Sequence, residues 1–198
     1  MPDAPLPPPR PRLAPLHPDE LDDEQAALYG DITGGPRGSG RTFPLTDGEG
    51  RLRGPFDAML RSPAVGSPLQ ALGASLRYAG ALPARARELA ILAVAAAEDS
   101  AFERYAHEAV AADAGVPATV IAAVRTGAPI ELDDDVERAT IAAARALAAD
   151  GDLDDDAYAA AVATLGECGV FELTTLVGYY RTLALQLRVF RVGVPEGS

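Results

Sequence analysis

The chain has 198 residues but no lysine, no tryptophan, one cysteine and two histidines. All 17 of its basic residues are arginines. Without a primary amine on a side chain, Schiff-base catalysis and lysine-anchored pyridoxal phosphate are excluded. The lone Cys168 rules out an internal disulfide, a cysteine zinc site and a CxxC redox centre. Only His17 and His107 could supply imidazole, so no metal site is expected within one chain, although subunits could pool ligands; no cofactor is expected either. Positive charge is also scarce. A formal net charge of -12 argues against nucleic acid and anionic membrane surfaces, whose phosphates would be repelled. There is no uninterrupted apolar run near 18 residues and no charged-then-apolar leader, which predicts a cytoplasmic protein without a membrane partner.

What is present is hydrophobic residue content of 48%, sufficient for a real core in one domain with an added arm. Residues 1–18 are proline-rich. Each proline fixes φ and lacks a donor, so an extended arm is expected, disordered or lying on a neighbouring subunit. The PxxP-with-arginine pattern there could also be read as an SH3 ligand. Residues 19–54 form a second region: acidic residues followed by apolar ones at helical spacing over 19–32 predict a helix, and 33–54 are glycine-rich and irregular. Gly35-Pro-Arg-Gly-Ser-Gly40-Arg41-Thr42 mimics a phosphate loop, but no strand precedes it and Phe43-Pro44 follows it, so nucleotide binding is not supported.

Residues 55–191 read as a helical domain, with helices near 55–61, 64–79, 83–98, 100–114, 117–126, 133–149, 154–165 and 168–190. Pro83 and Pro117 sit at helix starts; Gly80, Gly115, Gly127 and Gly151 sit at helix ends. The aspartates at 133–135 and 154–156 place negative charge where helix dipoles favour it. They lack the glycine and distal glutamate of an EF-hand, so caps are the better reading. Nothing alternates with period two over a convincing length. The fold class is therefore all-α, a bundle that also buries a face between subunits.

Residues 82–116 carry the chemistry. Leu89, Ile91, Leu92 and Val94 make the first helix of this hairpin apolar around most of its circumference, with Glu88 at or inside that surface. On the second helix Ser100, Glu103 and His107 fall at i, i+3 and i+7, one stripe continued by Val110, Ala111 and Ala114. A glutamate and a histidine four residues apart on a protein-facing stripe can share a proton, because burial moves a carboxyl group's pKa toward that of imidazole. The bland alternatives are equally legible. Ser100-x-x-Glu103 is a capping box, which spacing alone favours for Glu103; His107 could be a satisfied core residue, and Glu88 could do no more than pair with an arginine such as Arg77 or Arg85.

The ordered set R-x-R-E-L-A-I-L, S-A-F-E-x-x-A-H and A-G-V resembles the carboxymuconolactone-decarboxylase and AhpD-like family. The likeness extends over roughly 52–190 through Gly54-Pro55-Phe56, Leu60, Ser62-Pro63, Phe171-Glu172-Leu173 and Gly178-Tyr179-Tyr180. In the thiol-peroxidase branch of that family two cysteines occupy the positions of Ser100 and Glu103. Oxygen side chains cannot form a disulfide or reduce a peroxide, so this chain is similar to the branch without the redox pair. The resemblance implies an AhpD-like helical bundle and a small-molecule substrate. It also implies a homo-oligomer, trimer or hexamer, with the pocket near an interface. It further implies His107 as general acid or base, Glu103 as its partner and Glu88 as a relay, with Arg77, Tyr78, Ser100 and Tyr105 near the substrate. Arg77 in particular suits a substrate carboxylate, since guanidinium pairs bidentately with such groups; a surface ion pair is its simpler role. Arg104 stands where the branch commonly has an aromatic residue, which leaves the substrate open. The reaction class implied is decarboxylation or isomerisation of a cyclic organic acid or lactone. The alternative is a ligand-binding or scaffold protein without turnover. A redox role would need Cys168, whose sequence neighbour Glu167 raises rather than lowers a thiol pKa.

Overall fold

The computed structural model describes residues 10–38 and 43–195. A short 3-10 turn (Pro18–Glu20) leads into eight helices: α1 (Asp23–Gly34), α2 (Pro55–Met59), α3 (Pro63–Tyr78), α4 (Ala84–Ala97), α5 (Ala101–Asp113), α6 (Ala118–Thr126), α7 (Asp135–Asp150) and α8 (Asp155–Phe190). The only β pairing among the described residues is an isolated bridge between Thr46 and Leu52. The protein is all-helical.

Local chemistry explains most boundaries. The helix expected over 19–32 begins at Asp23, because the Asp22 side chain accepts from the Gln25 backbone N–H and Gln25 returns the bond. That reciprocal pair holds Asp22 out of the helix. Asp134 and Asp154 cap α7 and α8 through the N–H groups of Glu137 and Ala157. Gly127 and Gly151 end α6 and α7 in the left-handed conformation that glycine adopts without steric cost. The break expected between 165 and 168 is a kink inside α8, where Gly166 leaves helical geometry at φ 69° and ψ 169°.

α4 is the hub, packing against α5, α6, α7 and α8. Its alanines let neighbouring backbones approach closely, and Leu89, Ile91 and Val94 are almost wholly buried. Burying each such aliphatic side chain contributes roughly 1.5–3 kcal/mol, enough for this helix to tolerate one buried charge. That charge is Glu88, 1% exposed. In α8 an 18-residue window averages a hydropathy of 1.4, enough by length and composition to cross a membrane although charged residues interrupt the helix. Its Leu173, Leu176, Tyr180, Leu183 and Leu187 are buried in the bundle, while 33% of that window as a whole is buried.

The described part of the arm, expected to be disordered or on a neighbour, folds back on its own chain. Arg12 donates its backbone N–H to Phe190 O (2.9 Å) and its Nη1 to Val189 O (3.0 Å), satisfying carbonyls that the end of α8 leaves without helical partners. Leu16 N donates to Asp57 Oδ1 (2.8 Å). Most of the PxxP pattern, and Ser39 to Thr42 of the phosphate-loop mimic, lie outside the described residues.

Candidate active site

α4 and α5 form a hairpin turned by Asp99, which sits at φ 47°, a conformation that aspartate tolerates better than most residues. The turn sets Glu88 against His107. The His107 Nδ1 lies 2.7 Å from Glu88 Oε2, and its Nε2 lies 3.4 Å from Glu103 Oε2. All three side chains are buried. Tyr180 packs edge-on against the imidazole, ring centroids 5.1 Å apart, and fixes the ring from a third side.

The two carboxyl groups are driven apart in acidity. Burial alone would raise the pKa of Glu88, but His107, Arg77 and Arg87 outweigh it and hold the group below the usual carboxylate range. Arg77 Nη2 and Arg87 Nε stand 3.7 and 3.9 Å from its Oε1. Glu103 is pushed upward by burial, reinforced by the Glu88 charge and only partly opposed by His107 and Arg77. Glu88 is thus the stronger acid of the two and stays the anion, while Glu103 holds its proton to higher pH than an ordinary glutamate. An ionised Glu88 can only accept, so the His107 Nδ1–H donates to it, and Nε2 faces Glu103 and the cavity.

That cavity has a volume of about 280 Å³. Its reactive wall is Glu103 and His107; Phe43, Phe56, Phe102, Tyr179 and Tyr180 make the rest largely aromatic, and Arg37 and Arg77 supply positive charge. Burial raises the Tyr179 hydroxyl to about 12 and moves Tyr180 in the same direction, so both remain neutral donors at neutral pH. Glu88 stands behind His107 and is not part of the lining.

The structure brings His107, Glu103, Glu88, Arg77 and Tyr78 to one place, and several simpler readings give way. Ser100 occupies the N-cap position of α5 but makes no capping hydrogen bond, so the capping box does not form and Glu103 turns to the imidazole. Arg85 pairs with Glu137 at 2.7 Å rather than with Glu88. Arg77 is no surface ion pair: its side chain is 19% exposed and it lines the cavity. Ser100 and Tyr105 do not line it; Ser100 is buried at the start of α5, and Tyr105 packs edge-on against Phe43. Arg104 pairs with Asp99 at 2.8 Å and is absent from the lining. Arg37 and Phe43 carried no signal as site residues, because both lie in irregular chain, whereas Phe102 stands inside the quoted S-A-F-E-x-x-A-H pattern. Phe56 and the two tyrosines belonged to the quoted family pattern, and Tyr179 and Tyr180 fall on the buried face of α8.

The helical bundle has an AhpD-like fold. Two solved structures share it. One is an uncharacterized peroxidase-related protein from Ralstonia eutropha JMP134, described as an alkylhydroperoxidase AhpD core (TM-score 0.71, 13% identity, 95% of this chain and 94% of that one). The other is an uncharacterized peroxidase-related protein from Silicibacter sp. TM1040 (TM-score 0.71, 13% identity, 94% and 92%). Residues 63–155 match the carboxymuconolactone decarboxylase family. No curated protein matches the chain.

Proposed function

We propose that the protein is a carboxymuconolactone decarboxylase-like enzyme that performs metal-free proton-transfer chemistry, decarboxylation or isomerisation, on a small cyclic organic acid or lactone. The observation that carries this reading is the His107 imidazole held between Glu88, whose pKa is lowered, and Glu103, whose pKa is raised, at the wall of an aromatic cavity. Glu88 positions the ring and fixes its tautomer; His107 and Glu103 exchange a proton with the ligand. In a decarboxylation the bond between carboxylate and ring carbon breaks and carbon dioxide leaves. The electron pair passes into a conjugated carbonyl of the substrate, and the His107–Glu103 pair returns a proton to carbon. The electron sink belongs to the substrate, since the chain has no lysine to form an imine.

Thiol peroxidase chemistry is not part of the proposal. Ser100 and Glu103 stand at the positions of the redox cysteines, and Cys168 is exposed, 3.9 Å from Glu172 Oε1 and outside the cavity lining. Cys168→Ser should leave turnover unchanged. We place the enzyme in the cytoplasm as a trimer or hexamer; exposed Phe171 and Leu185 on α8 and Val65 on α3 favour burial against further copies, and a monomer by mass measurement would refute that assembly.

The test is carbon dioxide release from a panel of cyclic keto acids and carboxylated lactones. Turnover that His107→Ala reduces by about 10²–10⁴-fold, with the circular dichroism spectrum retained, is the expected result. Ligand binding without turnover across the panel, weakened by the same substitution, would instead establish the non-catalytic binding protein.

A further inference from the structure

The cavity contains two guanidinium groups, and they are not equivalent. Arg77 has an acidic partner in Glu88. Arg37, in the turn that follows α1, is 9% exposed and pairs with no carboxylate among the described residues. Among the described residues its Nη1 donates only to neutral oxygens of one residue, Gln70 O at 3.3 Å and Gln70 Oε1 at 3.0 Å. Its carbon centre sits 5.4 Å from the Phe56 ring centroid. A buried cation without a counter-charge is costly, yet this one is deliberately housed. Gly73 of α3 lies alongside it, and a Cβ there would fall 2.7 Å from Arg37 Nη2 and 2.1 Å from the Tyr179 hydroxyl. Any other residue on that turn of α3 would displace both groups.

We propose that Arg37 holds the anionic group of the ligand, a small planar carboxylate, while Arg77 stays with Glu88. The inference rests on the proposed function for its orientation: the carboxylate bound by Arg37 is one the ligand keeps. A guanidinium clamped on a departing carboxylate would stabilise the ground state and slow its loss, whereas a clamp on a retained group positions the rest of the ligand against His107 and Glu103. The aromatic wall of Phe56 and Tyr179 suits an unsaturated ring beside that carboxylate. Arg37 lies outside residues 63–155, so the N-terminal region supplies a specificity-determining residue that the family-matched segment lacks.

Calorimetry with benzoate and its neutral isostere benzamide tests this without turnover, and so separately from the decarboxylase reading. A charge-assisted bond to arginine is worth roughly 1.5–3 kcal/mol, or about 10–100-fold in affinity. Wild type should therefore prefer benzoate to benzamide by at least about 10-fold, and Arg37→Gln should abolish that preference by weakening benzoate far more than benzamide. Equal affinity for the two probes, no benzoate binding, or full retention of the preference in Arg37→Gln would each overturn the assignment. A crystal of the wild-type protein soaked in benzoate covers the case in which the variant does not fold. The carboxylate is expected within hydrogen-bond distance of Arg37; a carboxylate seated on Arg77 refutes the proposal.

Discussion

The two sides of His107 are built from the same chemical group and behave in opposite ways. On the α4 side Glu88 faces Arg77, Arg87 and the imidazole, and it is held ionised. On the cavity side Glu103 lies in the same α5 helix as the histidine, no more exposed than the imidazole itself, and its pKa is driven up. Burial is nearly equal for the two glutamates; the number of nearby cations is not. Counter-charge, rather than depth, decides which carboxyl group is the base of the array and which is the acid.

The largest effect should come from Glu88. Glu88→Ala leaves Arg77, Arg87 and the imidazole around an empty buried site, and breaking such a cluster costs about 3–5 kcal/mol. It should also free the imidazole tautomer, so turnover should fall even at temperatures where the variant remains folded. Urea unfolding and the carbon dioxide assay measure the two consequences independently. A loss below about 1 kcal/mol would mean that the charges around Glu88 are screened by solvent, and the contrast between the two sides would disappear.

Glu103→Gln should separate the two glutamates in the other direction. The variant keeps the volume and removes the ionisable proton, so turnover should drop by about 10²-fold or more with little loss of stability. The pH dependence of stability gives the sharper contrast. The folded pKa of Glu103 is raised, so its contribution is fully present below the ordinary glutamate value and is lost as pH rises through the folded value. The folded pKa of Glu88 is lowered, so its contribution is present above the ordinary value and is lost as pH falls through the folded one. Melting temperatures across pH should show Glu103→Gln flattening the slope above the ordinary glutamate pKa and Glu88→Gln flattening the acid side. Both substitutions acting on the same limb would contradict the assignment of acid and base.

The array was legible in the sequence because helical periodicity places Glu103 and His107 on one stripe, and because a carboxylate inside Leu89, Ile91 and Leu92 has to be buried or paired. The bundle was legible for the same reason, together with its prolines, glycines and capping aspartates. What spacing could not decide was which way Glu103 turns, since capping box and proton-sharing pair use the same interval. Arg37 and Phe43 were illegible as wall residues, and Phe56 was legible only as part of the family pattern. Long-range packing, not a local repeat, brings the loop after α1 and the start of α2 over the α4–α5 hairpin, and Gly73 records that packing only once the structure is known.

The smallest effect sharpens the same choice at Ser100. Serine at a working N-cap contributes about 1 kcal/mol, lost on substitution by alanine. Here the Ser100 side chain makes no capping bond, whereas Asp134 accepts from Glu137 N at 2.9 Å. Ser100→Ala should therefore cost under about 0.5 kcal/mol, and Asp134→Ala about 1 kcal/mol, in parallel urea titrations. The difference has a chemical meaning beyond helix stability. If Ser100→Ala were as costly as Asp134→Ala, a capping box would be forming in solution, Glu103 would be reaching back to the helix start for part of the time, and the acid facing His107 would be correspondingly depleted. A near-neutral Ser100→Ala keeps Glu103 committed to the imidazole, which is what the division of roles between the two glutamates requires.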